Sequence, residues 1–127
     1  MNLRTFPDYA ALSAHAAQYI ATLVRQKPNA VVCIASGSTP EGTFKLLAKQ
    51  VRSGELDLSQ CRFIGLDEWV GFSPEDVGGC AYFLYRDLFT PAHIRADQIT
   101  YFNATATDLQ AECQRVDEVI NGFGGLD

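Results

Sequence analysis

Nowhere along the 127 residues does an apolar run approach the roughly 18 positions needed to cross a bilayer. The opening stretch, MNLRTFPDYAALSAH, has no apolar core of an export signal. Both absences predict a cytoplasmic protein that is neither exported nor embedded in a membrane. Cations are few and scattered, ten Lys and Arg against fifteen Asp and Glu, for a net charge of -5. Nucleic-acid backbones are gripped by clustered cations, so a nucleic-acid partner is excluded and any anion site must be local. No C-x-x-C pair occurs. Cys33, Cys61, Cys80 and Cys113 lie far apart, at least two of them in buried-looking runs, and are read as reduced and structural. His15, at the border of a helical apolar face, and His93, in a T-P-A-H turn, have no acid or metal partner nearby in sequence, and no metal site is expected. No repeat, low-complexity tract or linker divides the chain.

What is present is an ordinary globular composition, 47% apolar and 20% charged. Leu12, Ala16, Tyr19, Ile20 and Leu23 recur at helical steps behind Asp8, predicting a helix over about 9–26. AVVCIA at 30–35 and CRFIGL at 61–66 are apolar runs without alternation, as strands covered on both faces require. A second helix is expected from Pro40, capped by Thr39 and leaving at Gly54. Ala81, Leu84, Tyr85 and Leu88 mark a third helix, and ITYF at 99–102 a short strand. Leu109, Cys113, Val116, Ile120 and Phe123 mark a fourth helix, with Thr107 and Gln110 as a capping box and Gly124–Gly125 as its stop. Glu112, Asp117 and Glu118 read as its solvated face, and Asp108 favours its dipole. Phe44, Phe63, Phe83 and Phe89 read as core. Alternating helices and strands predict an α/β fold with a doubly wound parallel sheet, whose ligands gather beyond the C-terminal strand ends.

Two polar stretches fall at that edge. In the first, IASGSTPEGTFKLL, residues Ser36, Gly37, Ser38 and Thr39 supply consecutive backbone N–H groups and three hydroxyls just before a helix. Orphan amides and the helix dipole favour an anion such as phosphate there. The stretch is neither a Walker A loop nor a G-x-G-x-x-G turn, and a plain capped turn is the competing reading. In the second, GLDEWVGF, Asp67 and Glu68 follow a buried strand, where Asp67 is expected to be partly desolvated, with its pKa raised toward that of a useful base. Such an acid can take a proton from carbon, although capping the loop is the simpler role.

S-G-S-T-P followed after about 27 residues by D-E-W-V-G resembles the glucosamine-6-phosphate deaminase/isomerase family, over essentially the whole chain. The resemblance implies a modified Rossmann-like fold, a sugar phosphate substrate, no metal or nucleotide cofactor, and conversion of an amino sugar phosphate to a ketose 6-phosphate with release of ammonia. Ser36, Gly37, Ser38 and Thr39 would hold the phosphate, Asp67 would shuttle a proton between C2 and C1 of the opened sugar, and Glu68 would help set the electrostatics beside it. The related 6-phosphogluconolactonases usually carry D-E-R at this site, so Trp69, Val70 and Gly71 favour the deaminase branch. D-E-W also suits a galactosamine-phosphate relative.

Two departures qualify the resemblance. Gly79, Cys80 and Ala81 stand where deaminases commonly show Ser-Tyr-Tyr, which bears on sugar preference. The family's ring-opening histidine segment would follow helix four, whereas this sequence ends at Gly124-Gly125-Leu126-Asp127. The sheet is therefore expected to be incomplete, with residues 1–127 the N-terminal part of a larger domain. Its open edge would need cover from that missing half, a second copy or a swapped element. A non-catalytic sugar-phosphate-binding module and a lactonase-like hydrolase are the rival readings.

Overall fold

The computed structural model describes residues 3–127. In chain order the elements are α1 (Tyr9–Gln26), β1 (Val31–Ile34), α2 (Ser38–Arg52), β2 (Arg62–Gly65), α3 (Cys80–Leu84) running into a π-helical turn (Tyr85–Phe89), a 3-10 turn (Ala96–Gln98), β3 (Ile99–Thr100) and α4 (Leu109–Gly122). The three strands form one parallel sheet in the order β1-β2-β3. Val31 to Ile34 pair in sequence with Arg62 to Gly65, and Phe63 pairs with Ile99.

Successive strand residues point to opposite faces, and both faces are covered. Ile34 and Phe63 join Ala17, Ala21 and Val24 of α1, Phe44, Leu47 and Ala48 of α2, and Leu84, Leu88 and Phe89 in the larger core. Val31 and Ile64 face the other way, onto Val116 of α4 with Val119, Ile120 and Phe102 around them. Two buried faces are why these strands read as unbroken apolar runs, and they make the fold the expected doubly wound α/β layering. On the outer edge of β1, Asp127 N–H donates to the Val31 carbonyl at 3.0 Å, and its carboxylate accepts from Val31 N–H at 2.9 Å and Lys27 Nζ at 2.6 Å. No helix among the described residues is long and apolar enough to cross a membrane.

Several expected details shift. The buried stripe of α1 is Ser13, Ala17, Ala21 and Val24, whereas Leu12 and Tyr19 are exposed, because close contact with α2 selects small side chains over large ones. Asp8 caps this helix through Ala11 N–H at 2.7 Å, as expected. Helix α2 starts at Ser38 with Gly37 in the cap position, so Thr39 and Pro40 lie inside its first turn. At α4 the cap is Asp108, whose carboxylate accepts from Ala111 N–H at 2.9 Å, in place of Thr107. Glu112 is buried and not part of a solvated face: it accepts from Asn103 N–H at 2.6 Å and pairs with Arg115. Phe44, Phe63 and Phe89 are core residues, while Phe83 is only half-buried, under the Arg86 guanidinium at 4.7 Å.

Candidate functional site

Because β1 and β2 are adjacent and parallel, the segments leaving their C-terminal ends emerge side by side. Ile34 is in register with Gly65, and Leu66 N–H still donates to the Ile34 carbonyl at 2.9 Å. Beyond this last rung the first segment runs through Ala35, Ser36 and Gly37 into α2, and the second through Asp67 and Glu68 into the loop before α3. Gly37 takes φ 101°, a left-handed conformation that L side chains rarely adopt, and so turns the chain directly from strand into helix. Ser38 and Thr39 then expose the first amides of a 15-residue helix at the sheet edge.

The third wall is Cys80, at the start of α3. Its backbone N–H donates to Glu68 Oε1 at 2.8 Å, which holds the start of α3 against the second segment. Burial pushes the Cys80 thiol up from its ordinary value, reinforced by the charges of Asp67 and Glu68 and opposed by Ser36. Burial, with the Asp67 charge second, does the same to Cys33. Both thiols are therefore protonated at neutral pH, and neither is an activated nucleophile. All four cysteines are free, as the sequence predicts.

Asp67 itself is exposed, so the partial desolvation expected of it is not there. Glu68 points elsewhere: its Oε1 accepts from Trp69 N–H and Cys80 N–H, and its Oε2 from Ala81 N–H, each at 2.8 Å. The carboxylate thereby caps α3 across the intervening loop and anchors the wall that carries Cys80. Leu66, Trp69, Val70 and Val77 lie exposed around this turn, and Gly71 N–H to the Ala104 carbonyl at 2.8 Å fastens its far end. Nearby, Tyr85 and Tyr101 meet edge to face with ring centroids 6.4 Å apart. Burial first, and Tyr101 second, push the Tyr85 phenol up to about 12.

The expected residues thus converge, with Ser36, Gly37, Ser38 and Thr39 on one segment and Asp67 and Glu68 on its neighbour. Cys80, which the sequence singles out only as part of the Gly79-Cys80-Ala81 departure, begins α3 beside them, with its N–H on Glu68.

The family described as glucosamine-6-phosphate isomerases/6-phosphogluconolactonase matches residues 7–126. The chain belongs to this family. Among the family's curated relatives it is 41% identical, over 127 residues, to a glucosamine-6-phosphate deaminase of Bacillus velezensis, covering 100% of this chain and 53% of that protein. It is 37% identical to one of Streptomyces coelicolor, over 100% of this chain and 49% of that protein. The solved structure of a monomeric glucosamine-6-phosphate deaminase superposes with a TM-score of 0.94 at 29% identity, covering 100% of this chain and 53% of the other. A 6-phosphogluconolactonase from Thermotoga maritima shares the fold at 17% identity, with a TM-score of 0.76 over 95% of this chain and 53% of the other. The chain spans about half the length of the relatives it matches.

Proposed function

We propose that this chain carries the phosphate cradle and the proton-transferring base of an amino-sugar-phosphate deaminase/isomerase. The observation that carries the reading is the placement of the Ser36–Thr39 turn and Asp67 just beyond the C-terminal ends of adjacent parallel strands, which are in register at Ile34 and Gly65. In this reading, the amides of Ser38 and Thr39 and the nearby hydroxyls receive the 6-phosphate of glucosamine 6-phosphate or galactosamine 6-phosphate. Asp67 removes the C2 proton of the opened sugar, leaving an enol-type intermediate, and returns a proton to C1. The C2 imine that results takes up water, and its nitrogen leaves as ammonia. Glu68 acts as a positioning residue, holding the loop and α3 around Asp67. The names of the relatives and the D-E-W turn favour this chemistry over lactone hydrolysis.

Residues 1–127 constitute the N-terminal part of the catalytic domain in this reading, supported by the half-length match, and bind substrate without turning it over. Reduced thiols and a phosphorylated substrate fit a cytoplasmic setting.

The test combines intact mass, amide-resonance titration with glucosamine 6-phosphate or galactosamine 6-phosphate, and ammonia assay on one sample. A 13.9 kDa chain that binds through residues 36–39 and releases no ammonia is the expected result. Ammonia from a chain of that mass overturns its inactivity, and Asp67→Asn should then bind as before and release none. Absence of binding overturns the cradle.

A further inference from the structure

Tyr9 is the first residue of α1, is 48% exposed and contributes little to the core, yet its hydroxyl reaches the first turn of α2. It accepts from Gly42 N–H at 2.8 Å and donates to the Ser38 carbonyl at 2.8 Å, with the Thr39 carbonyl at 3.0 Å as the alternative acceptor. Gly42 N–H and the Ser38 carbonyl are the i and i-4 partners of that turn, so a side chain from another helix holds both ends of it. We infer that Tyr9 is a positioning residue for the phosphate turn, setting from outside the peptide plane that presents the Thr39 N–H. The inference rests on reading residues 36–39 as a phosphate cradle.

Two observations give Tyr9 this leverage. The first is that Gly42 makes room for it. A Cβ there would stand 2.9 Å from the Tyr9 ring and 2.5 Å from Ser13 Oγ, so the ring reaches the turn only because the position has no side chain. The second is the donor count. A helix start offers its first N–H groups to a ligand, but Pro40 has none, which leaves the Ser38 and Thr39 amides ahead of Glu41. In a trans peptide the carbonyl and the next N–H point in opposite directions. Anchoring the Ser38 carbonyl on Tyr9 therefore aims the Thr39 N–H away from α1, out of the open end of the helix. With so few donors, loss of one orientation weakens anion binding measurably.

The experiment is titration of the isotope-labelled 127-residue chain with inorganic phosphate, following the amide resonances of residues 36–42 in wild type, Tyr9→Phe and Tyr19→Phe. Tyr19 is 69% exposed on the same helix and its replacement makes the same chemical change away from α2. Tyr9→Phe keeps the ring and is expected to move the Thr39 and Gly42 resonances before phosphate is added. It should then weaken phosphate about fivefold, as loss of one hydrogen bond of ordinary net strength implies. Tyr19→Phe should do neither. Phosphate bound by Tyr9→Phe with wild-type affinity overturns the positioning role alone. A wild-type turn whose amides ignore phosphate overturns the cradle, and the positioning role with it.

Discussion

Gly37 joins the end of β1 to the start of α2 at φ 101°, ψ -172°, and an added Cβ would meet nothing within 4 Å. Steric room is therefore not the constraint; the left-handed backbone is. Gly37→Ala should cost about 1–2 kcal/mol in urea unfolding, and it should weaken phosphate binding because relieving the strain rotates the Ser38 and Thr39 amides away from a common point. Unchanged stability together with unchanged phosphate affinity would remove Gly37 from the cradle. At this scale the sequence was informative in one respect and silent in another. Hydroxyl preference placed the helix cap at Thr39, two positions late, because a glycine that turns the chain leaves no hydroxyl signature. Asp67 and Glu68 looked alike as neighbours after a buried strand, yet one carboxylate is exposed and the other spans the loop to the backbone of Trp69, Cys80 and Ala81. That split depends on where α3 begins, which no local pattern encodes.

The helices were legible as elements and less so as faces. In α1 the visible large residues, Leu12 and Tyr19, are exposed, and the contact with α2 is made by Ser13, Ala17 and Ala21, which carry little hydropathy signal. In α4 the apolar steps at Val116 and Ile120 face the sheet, whereas Leu109, Cys113 and Phe123 of the same expected stripe are exposed, and the cap is Asp108. Asp108→Ala should cost about 1 kcal/mol in thermal or urea unfolding while Thr107→Ala is nearly neutral, and the reverse order would restore the Thr107 capping box. Glu112 ties this helix to the segment after β3. Its carboxyl is held down to about 2, chiefly by Arg115, with Asn103 N–H helping against the cost of burial. Since the folded value lies below the ordinary 4.5, its contribution to stability is complete above about pH 4.5 and is lost as pH falls toward 2. The urea midpoint of wild type should therefore drop across that window, and Glu112→Gln should flatten the drop. An identical acid limb in the variant would place the lost stability on other carboxylates.

Taken as a whole molecule, the two sides of the sheet are unequal, and that inequality determines how the fold opens. One face carries α1, α2 and α3 over a cluster that includes Phe44, Leu47, Phe63, Leu84, Leu88 and Phe89; the other has α4 alone over Val31, Ile64 and Val116. Apolar burial is the main source of cohesion, so the α4 side is the part that opens at the least cost. The candidate site is set on the stronger side of this division, since Gly37 and Cys80 begin α2 and α3 and Asp67 leaves the central strand β2. Amide exchange should accordingly be faster in α4 than in α2 or β2. Val116→Ala, costing about 2 kcal/mol, should accelerate exchange in α4 while leaving α2 and the Ser36–Thr39 turn close to wild type. Phe89→Ala, at about 3–5 kcal/mol, should accelerate it throughout. If Val116→Ala instead raised exchange uniformly, the two layers would be one cooperative unit and a phosphate turn insulated from α4 would be ruled out.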